Sequence, residues 1–144
     1  MKEFIPNQTI NGTFGEMWFD DDYLGEAEEA KAELNANYTA VQRVSHLISG
    51  QKLTSIDGKG SFKRHHVRSN IAVKMATALK SGKTPSFKII TKLADPDALG
   101  HERVVLYGCK LDKAILMDWA VGKLTEESYN FTFEDFDFLD SINA

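Results

Sequence analysis

The stretch Ala30-Lys31-Ala32-Glu33-Leu34-Asn35-Ala36-Asn37-Tyr38-Thr39-Ala40 puts an apolar side chain at every even position and a polar one between each pair. Its Ala and Glu content taken alone favours helix. Helical spacing, however, would scatter these apolar groups around the axis, whereas a period of two gathers them on one face of an extended chain. Residues 25–41 therefore read as a long strand. Its apolar face is made of small groups and builds only a weak core, so that face calls for completion by a partner.

On the N-terminal side, residues 13–20 form a strand candidate through Phe14, Trp18 and Phe19. The run Asp20-Asp21-Asp22 follows as a hairpin turn, a conformation Asp favours. On the C-terminal side, residues 52–67 read as extended, with Ile56 and Phe62 on one parity and Gly58 and Gly60 beside them. Glycines inside a strand mark a bulge or a close backbone approach. With little to anchor them, residues 50–60 are expected to form an extended loop, and residues 1–11 an N-terminal arm.

The spacing predicts a helix over 69–81, with Ser69 as N-cap, a stripe of Ile71, Met75, Ala78 and Leu79, and Gly82 as terminator. A strand follows at 86–93, with Phe87, Ile89 and Leu93 on one face. In residues 103–111, Val104 and Leu106 face one way and Val105, Tyr107 and Cys109 the other, the pattern of a sheet's buried centre. Residues 114–117 form a short further strand in this reading. The last strand spans 126–137, where Tyr129, Phe131 and Phe133 share a face. Phe136 and Phe138 have the opposite parity, so a bulge or reversal is expected near Glu134. The sum is one mainly-β (α+β) domain over residues 1–144, an antiparallel β-sandwich or barrel with one flanking α-helix.

Composition fits a globular protein, with 42% hydrophobic and 26% charged residues. The opening Met-Lys-Glu-Phe-Ile-Pro lacks a signal peptide's apolar run, and no segment approaches bilayer-spanning length. The single cysteine, Cys109, forms no internal disulfide and no Cys-based zinc site. Charge is unevenly spread. Residues 1–33 hold nine acids and two bases, residues 34–94 eleven bases and one acid, and residues 95–144 eleven acids and four bases. A basic middle between acidic flanks has three readings: a nucleic-acid surface, copies meeting basic face to acidic face, or charges interleaved within one fold.

No catalytic, metal or cofactor constellation emerges. His65 and His66 are adjacent and point to opposite faces of a strand, so they cannot chelate one ion together. His46 and His101 have no Cys, Asp or Glu at ligand spacing. Asp20-Asp21-Asp22 lacks the Gly and terminal Glu of a calcium loop, and Gly58-Lys59-Gly60 matches no phosphate-binding fingerprint. Cys109 reads as a small buried hydrophobe. Lys59, Lys63, Arg64 and Arg68 cluster in sequence, but Phe62 alone lies among them as a stacking platform. Function is thus expected at surfaces that meet other molecules.

Two elements carry a family resemblance. Gly100-His101-Glu102-Arg103-Val104-Val105-Leu106-Tyr107 and Phe131-Thr132-Phe133-Glu134-Asp135-Phe136-Asp137 closely resemble the tail tube proteins of PBSX-like defective prophages. Ile10-Asn11-Gly12 with Glu16-Met17-Trp18-Phe19-Asp20 is similar to that family's opening strand, and Gly58-Lys59-Gly60-Ser61-Phe62 to its glycine-containing stretch. The resemblance spans residues 10–139. The Asp20–Asp22 run, the His65-His66 pair and residues 112–123 depart from it.

The resemblance implies a structural, non-enzymatic subunit of a phage or R-type bacteriocin tail, with the plan shared by type VI secretion tube proteins. Subunits of that kind close into hexameric rings, which stack into a hollow tube inside a contractile sheath. Expected partners are further copies of the chain, the sheath, and baseplate and tape-measure proteins. DNA or other cargo would touch only the lumen, in passing, and the subunit would not insert into a membrane. Assembly would take place in the bacterial cytoplasm and the product would be a tail particle. Residues 50–60 and 1–11 are expected at ring–ring contacts, with the helix outside. The rival readings are a type VI-like secretion tube protein, a monomeric ligand-binding β-domain, a nucleic-acid-binding protein and a hydrolase.

Overall fold

The computed structural model describes residues 3–143. Its strands are β1 (Gly15–Phe19), β2 (Asp22–Tyr23), β3 (Ala27–Val41), β4 (Gly50–His65), β5 (Phe87–Leu93), β6 (Glu102–Leu111), β7 (Glu126–Phe133) and β8 (Asp135–Asp140). One helix, α1 (Asn70–Lys80), lies between β4 and β5. All pairings are antiparallel, in the order β2-β1-β5-β6-β7-β4-β3 with β8 also on β6.

The bend of this sheet is set at β6. Its first half pairs with β8 through Arg103–Tyr107, and its end pairs with β7 at Lys110 and Leu111. The β7 strand breaks at Glu134, as the parity change at Phe136 requires, and the chain returns along β6 as β8. The sheet thereby folds over a core of Met17, Phe19, Phe87, Ile89 and Leu106 from one limb and Phe62, Tyr129, Phe131 and Phe133 from the other. Ile71 and Met75 of α1 complete it. The molecule is mainly β with a flanking helix, but among the described residues its end strands β2 and β3 do not pair with each other. The sheet stays open where a closed barrel or sandwich was expected.

Several local expectations change for identifiable reasons. Residues 12–14 form a 3-10 turn, so the first strand begins at Gly15. Asp20 and Asp21 have φ of 53° and 71° and form the tight β1–β2 turn, the left-handed geometry Asp tolerates. Ser69 stands at the N-cap without a side-chain capping bond. Of the predicted stripe, Ile71 and Met75 are buried while Leu79 is exposed. The helix stops at Gly82 (φ 76°), with the Lys83 amide donating to the Ala78 carbonyl at 3.0 Å. Residues 114–117 form no strand; Ala114 and Ile115 instead tuck against the core.

Two corrections concern glycine. Gly108 has φ of 64° and sits in a β-bulge, where Phe87 pairs with Cys109 but Ile89 pairs with Leu106. The extra residue turns Cys109 to the same core as Leu106, not to the opposite face. Residues 50–60 are not a loop. They are the first two-thirds of β4, paired to β3 from Gly50↔Val41 to Gly60↔Ala32. Gly58 and Gly60 pair with Phe133 and Phe131, whose rings occupy the space side chains would take.

A Cβ at Gly60 would lie 2.5 Å from the Lys31 carbonyl oxygen and closer still to the Phe131 ring, whereas the nearest atoms to one at Gly58 all belong to the Phe133 ring, at 2.6 Å and beyond. Backbone yields less readily than a ring, so Gly60→Ala is expected to destabilise by about 1–3 kcal/mol and Gly58→Ala by less. Urea denaturation midpoints of the two variants check this order.

Candidate assembly surface

The β3–β4 hairpin outruns the sheet that anchors it. The β7 strand covers β4 only from Gly58 to His65, so Gly50–Asp57 pairs with β3 alone. The outer edge of β3 has no partner among the described residues over its whole length. Residues 34–57 thus form a two-stranded ribbon projecting roughly 25 Å at about 3.3 Å per residue. An isolated two-stranded ribbon is marginal in water, and a free edge is a template for another strand.

Register sorts the ribbon into two faces. Ala32↔Gly60, Leu34↔Gly58, Ala36↔Ile56 and Tyr38↔Leu53 form an apolar face continuous with the core through Phe62. Glu33↔Lys59, Asn35↔Asp57, Asn37↔Ser55 and Thr39↔Lys52 form the polar face. A bulge at Thr54 restores the phase, so Leu53 joins Ile56 on the apolar side. The Asn37 amide donates to Ser55 Oγ at 3.0 Å and Asp57 Oδ2 at 2.9 Å. On the apolar face Leu34, Leu53, Ile56 and Tyr38 are exposed, Tyr38 by 61%. At the tip, residues 42–49 add Val44, Leu47 and Ile48, all exposed.

The ribbon's base is fixed by a buried ionic cluster. Arg64 follows Lys63 on β4; Lys63 points outward, while Arg64 faces the core beside Phe62 and is 0% exposed. Its Nε donates to Glu127 Oε2 at 2.8 Å. One terminal nitrogen donates to Glu26 Oε1 at 3.1 Å and Asn70 Oδ1 at 2.8 Å, the other to the Arg68 carbonyl at 2.9 Å. Glu127 also accepts from the Tyr129 hydroxyl and bonds His66 Nδ1 at 3.0 Å. Arg68 and Asn70 extend the cluster to Asp22, at 2.9 and 2.6 Å. One cluster therefore locks β3, β4, β7, the β2 hairpin and the start of α1 together.

Burial alone would raise the Glu127 carboxyl, but bonds from Tyr129, His66 and Arg64 outweigh it and hold it below the ordinary value of 4.5. Burial and the Glu127 bond raise the Tyr129 phenol. Burial pushes the Cys109 thiol up to about 12, a packing cysteine rather than a nucleophile.

The remaining flagged residues separate. His65 bonds Glu28 at 2.9 Å and His66 bonds Glu127, so the pair does diverge. Glu28, His65 and Glu126 come together on the surface, a grouping that only the β3–β4–β7 register reveals. Lys63 already answers it, 2.8 Å from Glu126 and 3.8 Å from Glu28. Arg68 pairs with Asp22 and Glu26, Lys74 with Asp20, and Lys88 with Asp21. Five of the eleven bases of the middle segment, Lys63, Arg64, Arg68, Lys74 and Lys88, thus pair with acids of the flanks, which breaks up the apparent nucleic-acid cluster. His101 lies 3.3 Å from Asp140.

Residues 2–140 match the family model described as phage tail tube protein. The chain belongs to that family. It is 29% identical over 137 residues to the phage-like element PBSX protein XkdM of Bacillus subtilis (strain 168), covering 94% of this chain and 93% of the relative. Its fold is similar to that of a chain in the structure of the anti-feeding prophage cap, with a TM-score of 0.73 at 6% identity and 97% of each chain covered. The gene transfer agent virion holds a similar chain, with a TM-score of 0.54 at 11% identity, covering 90% of this chain and 98% of that one. This tail tube protein is a structural subunit of a phage-like tail tube assembly, not an enzyme. The ribbon and its anchor are the candidate assembly surface of this chain. Sequence patterning exposed the β3 half of the ribbon but read its β4 half, within residues 50–60, as a loop; the anchor was hidden because Arg64 and Glu127 lie far apart in the chain.

Removing one partner of a buried ion pair leaves an uncompensated charge, so Arg64→Ala is expected to cost about 3–5 kcal/mol. The depressed Glu127 contributes stability that is complete above pH 4.5 and is lost as pH falls towards its lowered folded value. Denaturant titrations from pH 7 to pH 3 should therefore show a steeper loss in the parent than in Glu127→Gln.

Proposed function

We propose that six copies of this subunit close into a ring through the β3–β4 ribbon, and that such rings stack into a hollow tube inside a contractile sheath. The carrying observation is the ribbon itself, with an apolar face and strand edges that nothing among the described residues covers. Lateral pairing of β3 with a strand of the next copy satisfies its edge, and repetition around a ring leaves no edge free. The polar face then lines the lumen. It carries Glu29, Glu33 and Asp57 against Lys31, Lys52, Lys59 and Lys63, a nearly balanced set. A lumen of that kind releases few counterions on contact with a polyanion, so DNA or other cargo slides without sticking.

Ring-to-ring contacts fall to the ribbon tip, residues 42–49, and to the N-terminal arm. Among its described residues, the arm exposes Phe4 and Ile5 and is pinned at Asn11, whose amide donates to Asp95 Oδ2 at 2.8 Å. The helix, with Val73 and Leu79 exposed, faces outward in this arrangement towards the sheath. Baseplate and tape-measure proteins would meet the ends and lumen of the finished tube, and assembly would proceed in the bacterial cytoplasm.

Ala36→Glu and Ile56→Glu place charge on the ribbon's apolar face without touching the core. Each is expected to change the stability of the dispersed subunit by no more than about 0.5 kcal/mol, as surface substitutions do. Rings and tubes should nevertheless disappear, read by light scattering across concentration and by negative-stain microscopy. Tubes of normal dimensions from both variants would refute the ribbon as the ring contact.

A further inference from the structure

The connection between β6 and β7 is the most apolar exposed segment outside the ribbon. Leu116, Met117, Trp119, Val121 and Leu124 all face solvent, Trp119 by 74%. Residues 113–120 have no regular structure, and the turn at Gly122 (φ 78°) is closed by the Lys123 amide donating to the Ala120 carbonyl at 3.2 Å. Among the described residues this is the only backbone bond within the segment. Ala114 and Ile115 fix one end against the core. The result is an extended strap with an indole at its middle, the side chain most enriched at the energetic centres of interfaces.

On the same molecule the open sheet leaves a cleft of about 850 Å³ between β3 and the layer of β1, β5 and β6. Met17, Ile89, Leu106, Phe131 and Phe133 line its floor, and no residue of the strap lines it. Charge complements shape. Glu16 and Glu102 on the cleft wall have no ion-pair partner among the described residues, against a single such base, Lys92. Lys113 and Lys123 flank the strap and are likewise unpaired, against Asp118.

We infer that the strap of one subunit seats over the cleft of a second copy, with Trp119 entering it between β3 and β5. A convex apolar segment on one part of a chain and an acidic apolar cleft on another form a heterologous contact, the kind that propagates to a ring or a filament. This inference rests on the self-assembly reading above, but assigns a contact different from the ribbon edge. The wall of the cleft formed by β3 is continuous with that edge, so both contacts draw on the same neighbour.

The chain has two tryptophans, Trp18 and Trp119. In the Trp18→Phe variant, fluorescence of dispersed and assembled protein reports Trp119 alone. On assembly its emission should move to shorter wavelength and acrylamide quenching should fall several-fold. In an otherwise parent background that does not depend on Trp18, Val121→Cys protein is mixed with Thr91→Cys protein, or with Lys80→Cys on the outer helix face as control. A short bis-maleimide should link Val121→Cys to Thr91→Cys and not to Lys80→Cys. Tubes in which Trp119 stays open to quencher would overturn the strap contact and leave the ribbon reading standing. Linkage to the helix control in place of the cleft would overturn the choice of the cleft. No assembled species at any concentration would overturn the self-assembly reading, and the strap contact with it.

Discussion

The β7 strand ends at Phe133, and the rest of the molecule's behaviour follows from that length. Up to Gly58, β4 is held between β3 and β7, with Phe131 and Phe133 laid over its two glycines. Beyond Gly58 no third strand is present among the described residues. The chain must return along β6 as β8, because β6 has spent the end of that same edge on β7. One limb of the sheet therefore finishes as a ribbon whose hydrogen bonds are satisfied only inward and whose apolar face is exposed among the described residues.

A projecting ribbon is useful in assembly only if its base does not flex, and the Arg64 cluster supplies that rigidity. A buried guanidinium is costly to desolvate, so it stays in place only when nearly all its donors are matched. Here the matches come from Glu26, from Arg68 and Asn70 at the start of α1, and from Glu127, three separate points of the chain. Shifting β4 by one residue would put Lys63 in that site and turn Phe62 outward. The cluster thus fixes the register that sorts the ribbon's two faces. The open seam beside β3, lined by Glu16, Glu29 and Glu102, is the other consequence of a sheet that does not close.

The long strand was legible because its period of two is a local signal that tertiary packing does not alter. The break at Glu134 was legible for the same reason, from the opposite parities of Phe133 and Phe136. Residues 50–60 were misread as a loop because Gly58 and Gly60 carry no side chains to show a pattern. Their partners, Phe131 and Phe133, lie on a strand more than seventy residues away. Cys109 changed sides through a bulge at Gly108 that alternation cannot register. Arg64 looked like one more base in a run with Lys63 and Arg68, since its burial depends on Glu127 and on which parity of β4 meets the core. Part of the acid–base–acid charge layout joins the segments in the fold, through pairs such as Lys88–Asp21 and Arg68–Asp22.

The central claim is that the ribbon is unfinished in one copy and completed by others. Amide hydrogen exchange over residues 34–41 and 50–57, compared between dispersed subunit and assembled tubes, tests it most directly. The account predicts fast exchange at the outer amides of the dispersed ribbon and strong protection of both strands in the tube, with residues 102–111 protected in each state. Equal exchange of the ribbon in the two states would contradict it.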